Sequence, residues 1–171
     1  MVSVFIPKEV DADETRVAAT PDTVKRLNKA GFTVWVEKNA GERSFFHDQA
    51  YRDVGAQITE DAAQGFAQAD VVLKLQPPTM RSSINKHEAD MVKEGALWIG
   101  FLWPRNDKST VERLSKRKVT SFAMDMVPRI SRAQSMDALS SQSNLAGYKA
   151  VLMAADTLAK PFPMMMTAAG T

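Results

Sequence analysis

The stretch Leu97-Trp98-Ile99-Gly100-Phe101-Leu102 decides the fold class of this chain, because its six residues carry no charge. A nearly continuous apolar run of this length is typical of a strand that a parallel sheet buries on both faces. Further strands, with helical patterns between them, are predicted at residues 2–6, 32–37, 70–75 and 119–124. This alternation predicts an α/β protein with a doubly wound, mostly parallel sheet of the flavodoxin-like or Rossmann-like kind.

The helices are predicted from capping residues and from apolar periodicity. Thr20 suits a cap, Pro21 suits the first helical position, and Gly31 suits the end of the first helix. Further helices are predicted at residues 47–54, 80–93 and 107–117.

The C-terminal portion of the sequence predicts one long helix. From Ser140 onward, apolar residues recur at helical spacing as far as Ala159, which predicts about five turns. Ser140 and Ser141 are expected to cap this helix, and Pro161 is expected to end it. The tail at residues 164–168 is uncharged and Met-rich. We expect a second domain to cover it in longer relatives, and we expect self-association where nothing covers it.

Composition limits the class of protein. The chain has 171 residues, 44% hydrophobic and 25% charged, which is ordinary for a soluble globular protein. Its net charge of +2 is too small to indicate nucleic-acid binding, and no apolar run is long enough to cross a membrane. The absence of cysteine excludes disulfides, thiolate catalysis and Cys-based zinc sites. The two histidines, His47 and His87, lie far apart in the sequence, and no metal site is predicted.

The candidate binding segment is residues 128–137, Pro-Arg-Ile-Ser-Arg-Ala-Gln-Ser-Met-Asp, between the last predicted strand and the long helix. It places Arg129, Gln134 and Asp137 at i, i+5 and i+8. Arginine offers a planar fork of donors, aspartate accepts, and glutamine does both, so the three suit a carboxamide and ribose hydroxyls better than a bare phosphate. An Arg–Asp pair that only fixes a surface connection is the other interpretation.

The same segment resembles a known family. From Pro128 to Tyr148 it is similar to the nicotinamide-proximal loop and following helix of proton-translocating nicotinamide nucleotide transhydrogenases. The resemblance extends over essentially the whole chain, through Ile6-Pro7-Lys8-Glu9 and Glu14-Thr15-Arg16-Val17-Ala18 to Met166-Thr167-Ala168-Ala169-Gly170. It covers the N-terminal portion of the NAD(H)-binding component, within a superfamily shared with alanine dehydrogenases.

The resemblance implies an oxidoreductase and translocase that transfers a hydride between NAD(H) and NADP(H), coupled to proton translocation. It implies that Arg129, Gln134 and Asp137 fix the nicotinamide of NAD(H) for catalysis, with Gln134 also reaching toward NADP(H). Ser140 and Tyr148 are implied as lesser neighbours of the nucleotide, although helix packing is the other interpretation of Tyr148.

The resemblance also implies partners and a location. The NADP(H)-binding and membrane components of the transhydrogenase are the implied partners, and the first of these holds NADP(H). A homodimer is implied as well. The implied location is the cytoplasm, with peripheral association to the inner membrane through the partner components.

The sequence contains no G-x-G-x-x-G, so the turn that cradles phosphates in a Rossmann domain is missing. We therefore expect residues 1–137 to form the α/β domain with the nicotinamide-proximal loop. Residues 138–171 are expected to form a connecting helix and a tail that lead to an absent NAD-binding Rossmann domain. On this expectation the chain alone is incomplete and inactive.

Two other functions stay open at the level of sequence. One is a non-catalytic module that uses this fold for dimerisation or interaction, which the missing phosphate loop favours. The other is an alanine dehydrogenase-type fragment; in those enzymes residues matching Arg16 and Lys74 hold the substrate carboxylate. Trp103 argues against the fragment, because it stands where those enzymes carry a proton-handling histidine and an indole only donates. Arg16 and Lys74 are otherwise expected to pair with nearby carboxylates, and Trp103 to pack.

Overall fold

The computed structural model describes residues 1–162. The chain forms two compact units, residues 1–127 and the residues from 128 onward. The Met-rich tail at residues 164–168, with its expected self-association, lies outside the described residues. The division predicted after Asp137 stays a prediction.

The first unit is built from strands and helices that alternate along the chain. Its strands are β1 (Ser3–Ile6), β2 (Thr33–Glu37), β3 (Gln57–Thr59), β4 (Val71–Leu73), β5 (Met80–Arg81), β6 (Lys86–His87), β7 (Leu97–Gly100) and β8 (Thr120–Ala123). Its helices are α1 (Pro21–Lys29), α2 (Asp48–Asp53), α3 (Ala62–Gln68), α4 (Glu88–Met91) and α5 (Lys108–Lys116).

Six of these strands form one parallel sheet in the order β3-β2-β1-β4-β7-β8. The remaining two, β5 and β6, pair with each other in an antiparallel hairpin. The prediction of an α/β protein with a doubly wound, mostly parallel sheet is confirmed. The chain reverses direction across the sheet between the neighbouring strands β1 and β4, and ligands of such folds bind beside the carboxyl ends of the strands at this reversal.

The prediction of a helix over residues 80–93 is wrong. These residues form β5, a turn, β6 and the four-residue α4. The turn passes through Asn85, whose φ of 48° lies in the left-handed region and interrupts any right-handed helix. Arg81 and Glu88 turn inward and form a buried ion pair at 2.9 Å. This tertiary pairing overrides the local helical preference of the segment.

Two elements of the first unit, β3 and α3, have only a weak signal in the sequence. β3 is three residues long, and α3 contains Gly65, which lowers helix propensity. Asp61 nevertheless caps α3, because its carboxylate accepts the backbone N–H of Gln64 at 3.0 Å. The glycine has a packing reason: a Cβ at Gly65 would lie 2.5 Å from the ring of Phe5.

The first helix begins as the sequence predicts. The hydroxyl of Thr20 accepts the backbone N–H of Thr23 at 3.3 Å, and Pro21 is the first residue of α1. Gly31 follows the helix with a φ of 90°, which a residue with a side chain rarely adopts.

The core of the first unit lies on both faces of its sheet. On one face Phe5, Val72 and Trp98 pack with residues of α3, α4 and α5. On the other face Val34 and Val36 pack with residues of α1 and α2. The two clusters fix the sheet, and the loops after each strand lie at its carboxyl edge.

The second unit begins with a 3-10 helix, Ser131–Met136, and continues as α6, Ala138–Thr157, which confirms the predicted long helix. The predicted capping by Ser140 and Ser141 is wrong, because Asp137 is the N-cap and both serines lie inside the first turn. A carboxylate directly before the helix is a strong cap, and this one accepts the backbone N–H of Ser140. Among residues 1–162, no helix is long and apolar enough to span a membrane.

Candidate functional site

The second unit contains a cleft of about 630 Å³ at the junction of the 3-10 helix and α6. Four of the five predicted site residues line it. Tyr148 does not: it lies more than two turns along α6 and is 69% exposed. The complete lining is Arg129, Ile130, Ser131, Gln134, Asp137, Ser140 and Ser141.

The 3-10 helix fixes the spacing of these residues. The backbone N–H of Ala133 donates to the carbonyl of Ile130 at 2.9 Å, and that of Asp137 donates to the carbonyl of Gln134 at 3.3 Å. Since a 3-10 helix has three residues per turn, Ser131 and Gln134 lie above one another on the same side. The 3-10 helix therefore brings together at one cleft several side chains that an extended loop would hold farther apart.

Asp137 is held by the first turn of α6. Its Oδ1 accepts the backbone N–H of Ser140 at 2.9 Å, and its Oδ2 accepts the hydroxyl of Ser140 at 2.5 Å. The hydrogen bond from the Ser140 hydroxyl is the largest cause that lowers the pKa of Asp137, and the guanidinium of Arg129 lowers that pKa further. Asp137 is therefore an ionised acceptor with a fixed orientation at neutral pH.

Two of the three serines of the cleft, Ser140 and Ser141, offer acceptors rather than donors. The hydroxyl of Ser140 donates its only hydrogen to Asp137, and the hydroxyl of Ser141 donates to the Asp137 carbonyl at 3.1 Å. Each hydroxyl then has only lone pairs left for a ligand. Donation to a ligand falls to Arg129, to Gln134 and to the hydroxyl of Ser131. Among residues 1–162 no carboxylate forms an ion pair with Arg129.

The cleft thus combines donors on one set of residues with acceptors on another. A primary carboxamide needs both, because its carbonyl accepts and its NH₂ donates. Arg129, Gln134, Asp137 and Ser140 are predicted from the sequence, whereas Ile130, Ser131 and Ser141 are added by the structure. The separation into donors and acceptors is not predictable from the sequence, because it depends on the direction of the Ser140 hydroxyl.

In the first unit, Arg16 and Lys74 are both paired with carboxylates. Arg16 forms two hydrogen bonds to Glu14, from Nε to Oε1 at 2.7 Å and from a terminal nitrogen to Oε2 at 2.6 Å. The pKa of Glu14 is lowered to about 2, and the hydrogen bonds from the Arg16 side chain are the largest cause. Lys74 lies at the carboxyl end of β4, and its side chain is 0% exposed.

The ammonium of Lys74 has its donors occupied within the protein. It contacts Oε2 of Glu9 at 2.7 Å and the carbonyl oxygens of Gln76 and Pro77 at 3.2 Å and 3.4 Å. A second carboxylate, that of Glu88, lies at 3.4 Å. Burial raises the pKa of Glu9, and the charge of Lys74 opposes that rise. These contacts are those of a structural charge, which is one of the two interpretations that the sequence allowed for Lys74.

Sequence reasoning missed most of the network around Lys74. Arg81 joins Glu88 at 2.9 Å to Glu37 at 2.7 Å, so the ion pairs connect the loop after β1, the end of β2, the end of β4 and the β5–β6 hairpin. The only signal in the sequence was a lysine inside an apolar run, which indicates that a partner exists but not which one.

Trp103 and the two histidines, none of which was predicted as a site residue, have other surroundings. Trp103 follows β7 with a φ of 46°, stacks on Phe101 with ring centroids 5.8 Å apart, and is 42% exposed. His47 is exposed and pairs with Glu42, whereas half-buried His87 accepts the backbone N–H of Ala89. No group of three or more His, Cys, Asp or Glu residues within the described 1–162 is arranged to hold a metal ion.

Comparison with known proteins gives concordant results. The family described as "Alanine dehydrogenase/PNT, N-terminal domain" matches residues 5–146. An NAD(P) transhydrogenase subunit alpha protein of Rhodospirillum rubrum is 50% identical over 170 residues, which are 99% of this chain and 44% of that protein. Alanine dehydrogenase 2 of Staphylococcus aureus is 33% identical over 93% of this chain and 40% of its own length.

A solved structure agrees with these sequence matches. The transhydrogenase from Sinorhizobium meliloti superposes with a TM-score of 0.85 at 43% identity, over 98% of this chain and 48% of that one. The chain spans less than half the length of each of these relatives.

Proposed function

The chain belongs to the family of alanine dehydrogenase/PNT N-terminal domains, and we propose that it is the N-terminal portion of the NAD(H)-binding component of a proton-translocating transhydrogenase. The proposed reaction is hydride transfer between NAD(H) and NADP(H), coupled to proton translocation. The transhydrogenase relatives in Rhodospirillum rubrum and Sinorhizobium meliloti support this branch of the family, since both are more similar to this chain than the alanine dehydrogenase of Staphylococcus aureus.

One observation carries the proposal: the cleft of the second unit gathers the groups that a nicotinamide carboxamide requires. Arg129 and Gln134 supply N–H donors, and Asp137 with Ser140 supplies fixed acceptors. A carboxamide held at both its oxygen and its nitrogen cannot rotate freely, so the ring that carries it is also held. We assign Arg129, Gln134 and Asp137 to this role, with Ser140 as their neighbour and Tyr148 as a hydroxyl farther along α6.

The proposed reaction depends on the orientation of its cofactors rather than on acid–base catalysis by the protein. A bound nicotinamide supplies the hydride itself, and direct transfer between two rings requires no general acid or base. The protein must orient the rings at van der Waals contact and exclude water. Fixed acceptors such as the Asp137–Ser140 pair serve orientation, because their positions are set by the first turn of α6 before any ligand arrives.

Further features of the enzyme belong to the same proposal. NAD(H) is assigned to this component and NADP(H) to a partner component, toward which Gln134 reaches. The other partners are the membrane component and a second copy of the NAD(H)-binding component. The location that follows is the cytoplasmic face of the inner membrane, with attachment through those partners.

An alanine dehydrogenase activity is less well supported, although relatives of that name exist. Lys74 has its donors directed at Glu9 and at carbonyl oxygens of its own loop, which leaves none for a substrate carboxylate. Trp103 cannot exchange a proton with a substrate at neutral pH. A non-catalytic interaction module stays the other alternative, and the loss of hydride transfer in the variants below separates it from the proposed enzyme.

The test uses the chain joined to the remaining portion of the Rhodospirillum rubrum relative and assembled with its partner components. We expect Arg129→Ala, Gln134→Asn and Asp137→Asn each to slow hydride transfer by up to about 100-fold while NADH binding changes less, since misplacement of a ring by about 1 Å has an effect of this size. Stopped-flow absorbance measures transfer, and calorimetry measures binding.

Arg132→Ala is the matched control for these variants, because Arg132 lies in the same 3-10 helix but does not line the cleft. Asp137→Asn keeps a good helix cap, so a loss of rate in that variant reports the carboxylate rather than the helix. Transfer at the wild-type rate in all three cleft variants would refute the assignment of this cleft.

A further inference from the structure

The cleft of the second unit separates its hydrogen-bond donors from its acceptors along the chain. Arg129, Ser131 and Gln134, which can donate, all lie before α6. Asp137 and Ser140, which accept, form the start of α6. A ligand group that enters the cleft therefore meets donors from one segment and acceptors from the next.

The acceptors of the cleft are committed to the cap of α6. Oδ1 of Asp137 accepts the backbone N–H of Ser140 at 2.9 Å, and Oδ2 accepts the hydroxyl of the same serine at 2.5 Å. Asp137 carries no proton at neutral pH, because the hydrogen bond from Ser140 lowers the pKa of its carboxyl group. The Ser140 hydroxyl gives its single hydrogen to that carboxylate, and turning it toward a ligand would break the cap.

A pyridine dinucleotide exists in two forms that differ in their demand for such acceptors. In the nicotinamide form the ring bears a carboxamide, whose NH₂ group donates and whose oxygen accepts. In the nicotinate form the ring bears a carboxylate, which only accepts and is negatively charged. We propose, on the basis of the function proposed above, that the cleft selects the carboxamide form against the carboxylate form, and that Asp137 determines this specificity.

The physical reason is the fixed negative charge of Asp137 beside the lone pairs of Ser140. The NH₂ group of a carboxamide can donate to either of these acceptors, and a hydrogen bond to an ionised group is a strong one. A carboxylate in the same place brings two negative charges together and leaves no hydrogen between the facing oxygen atoms. The cleft therefore discriminates by repelling the wrong ligand as well as by binding the right one.

Arg129 acts in the opposite direction, because a guanidinium attracts a carboxylate more strongly than a neutral carbonyl. A cleft governed by Arg129 would prefer the carboxylate form, whereas a cleft governed by Asp137 prefers the carboxamide form. Arg129 can donate to an oxygen atom of either form, but only the carboxamide offers a hydrogen to Asp137. We therefore expect Asp137 to decide the order of affinity.

The size of the preference depends on how far water enters the cleft. A buried site that is built around a hydrogen bond rejects an analogue lacking that bond by roughly 10⁴-fold or more. Ser140 is exposed, and solvent weakens the repulsion between charges beside it. We expect the dissociation constant of the carboxylate form to be larger than that of the carboxamide form by about 100-fold.

Asp137→Asn should change the acceptors of the cleft into donors. The side-chain oxygen of asparagine can still accept the backbone N–H of Ser140, so α6 keeps its cap. The side-chain NH₂ group then replaces the oxygen that accepted the Ser140 hydroxyl, and that hydroxyl is released to donate as well. We expect the preference for the carboxamide form to fall by about tenfold or more.

The experiment uses the chain joined to the remaining portion of the Rhodospirillum rubrum relative, here called the joined protein. NAD⁺ and nicotinate adenine dinucleotide each displace NADH, and the change in NADH fluorescence gives the two dissociation constants. Arg132→Ala is the matched control, because Arg132 lies in the 3-10 helix but outside the cleft. Its ratio of dissociation constants should equal that of the wild type, although the control also removes a positive charge.

Equal affinity for the two dinucleotides in the wild-type joined protein, or a preference for the nicotinate form, would overturn the proposal and leave the proposed hydride transfer intact. An unchanged ratio in Asp137→Asn would overturn the role of Asp137. Failure of the joined protein to bind NADH would instead refute the proposed function, and the specificity with it.

Discussion

Buried charges at single positions hold together the carboxyl edge of the sheet. Lys74 and Arg81 lie among Glu9, Glu37 and Glu88, and each of these carboxylates pairs with at least one of the two cations. Backbone N–H groups complete the arrangement, since those of Leu75, Thr79 and Lys8 donate to the three carboxylates. A buried ion network is stable only when every member is satisfied, and this one therefore fixes the loops that it connects.

Removal of one cation should be costly. Lys74→Met keeps the approximate length of the side chain but leaves Glu9 without its 2.7 Å partner. We expect the free energy of unfolding to fall by about 3–5 kcal/mol, because an uncompensated buried charge remains. Urea denaturation measures the change. Lys38→Met is the control: its pair with Glu60 is exposed, and its denaturation midpoint should not move. A Lys74→Met protein as stable as the wild type would contradict a buried ionic role.

Glu14 should make stability depend on pH. Its pKa is lowered from 4.5 to about 2 in the folded chain, chiefly by hydrogen bonds from Arg16. The ionised carboxylate therefore stabilises the fold above pH 4.5, and this contribution is lost as the pH falls toward 2. Glu14→Gln should lower stability at neutral pH by on the order of 2–3 kcal/mol and flatten the loss below pH 4.5.

Urea midpoints at a series of pH values test the role of Glu14. Glu112→Gln, which removes an exposed charge from α5, should leave the pH dependence as it is in the wild type. The same slope in Glu14→Gln and in the wild type would show that Glu14 is no better stabilised in the folded chain than in the unfolded one.

At the level of secondary-structure elements, close contact can override local preference. α3 approaches β1 closely enough that only a glycine fits at position 65, against the ring of Phe5. The hairpin of β5 and β6 forms where the sequence has a helical pattern, because Arg81 and Glu88 find partners inside the protein. In both cases a contact partner lies in a distant segment of the chain, and that contact rather than local preference determines the element.

Two glycine substitutions should change the stability of the protein in opposite directions. Gly65→Ala places a methyl group 2.5 Å from the buried ring of Phe5, and we expect a loss of about 1–3 kcal/mol from overpacking. Gly147→Ala lies within α6, where an added Cβ meets nothing within 4 Å, and we expect a gain of up to about 1 kcal/mol in helix stability. Thermal unfolding followed by circular dichroism measures both. A neutral Gly65→Ala would mean that α3 can move away from β1 at no cost.

For the molecule as a whole, the two units differ in how they bury their surfaces. The first unit encloses two apolar clusters around its sheet. The second consists mainly of α6, in which no residue of the helix is buried and Leu145, Val151 and Met153 are each more than half exposed. A helix that is apolar on several sides belongs in the interior of a larger protein. This agrees with relatives more than twice as long as the chain.

The chain alone should bind NADH weakly. Its cleft can hold a carboxamide, but its sequence has no glycine-rich turn to bind a pyrophosphate with backbone N–H groups. We expect a dissociation constant weaker than about 10 μM, equivalent to about −7 kcal/mol. Isothermal titration calorimetry on the chain and on the joined protein measures the difference. Tighter binding by the chain alone would show that the pyrophosphate has a site within these residues.

The sequence by itself determined the features that depend on near neighbours along the chain. The alternation of apolar runs and helical patterns predicted the doubly wound sheet, Thr20 and Pro21 predicted the start of α1, and the spacing after Ser140 predicted α6. Periodicity and capping are local properties, so a segment of about ten to twenty residues is enough to recognise them. Arg129, Gln134 and Asp137 come from one short segment and line one cleft, whereas their role toward a nucleotide stays a prediction.

Tertiary structure alone decided what depends on contacts between distant segments. The carboxylate partners of Lys74 lie in the loop after β1 and on α4, and the hairpin at residues 80–87 depends on one of them, Glu88. The acceptor character of Ser140 depends on the direction of its hydroxyl hydrogen, which is set by Asp137. Such features arise because packing and charge burial act across the sheet, where the local sequence pattern carries no information about which residues will meet.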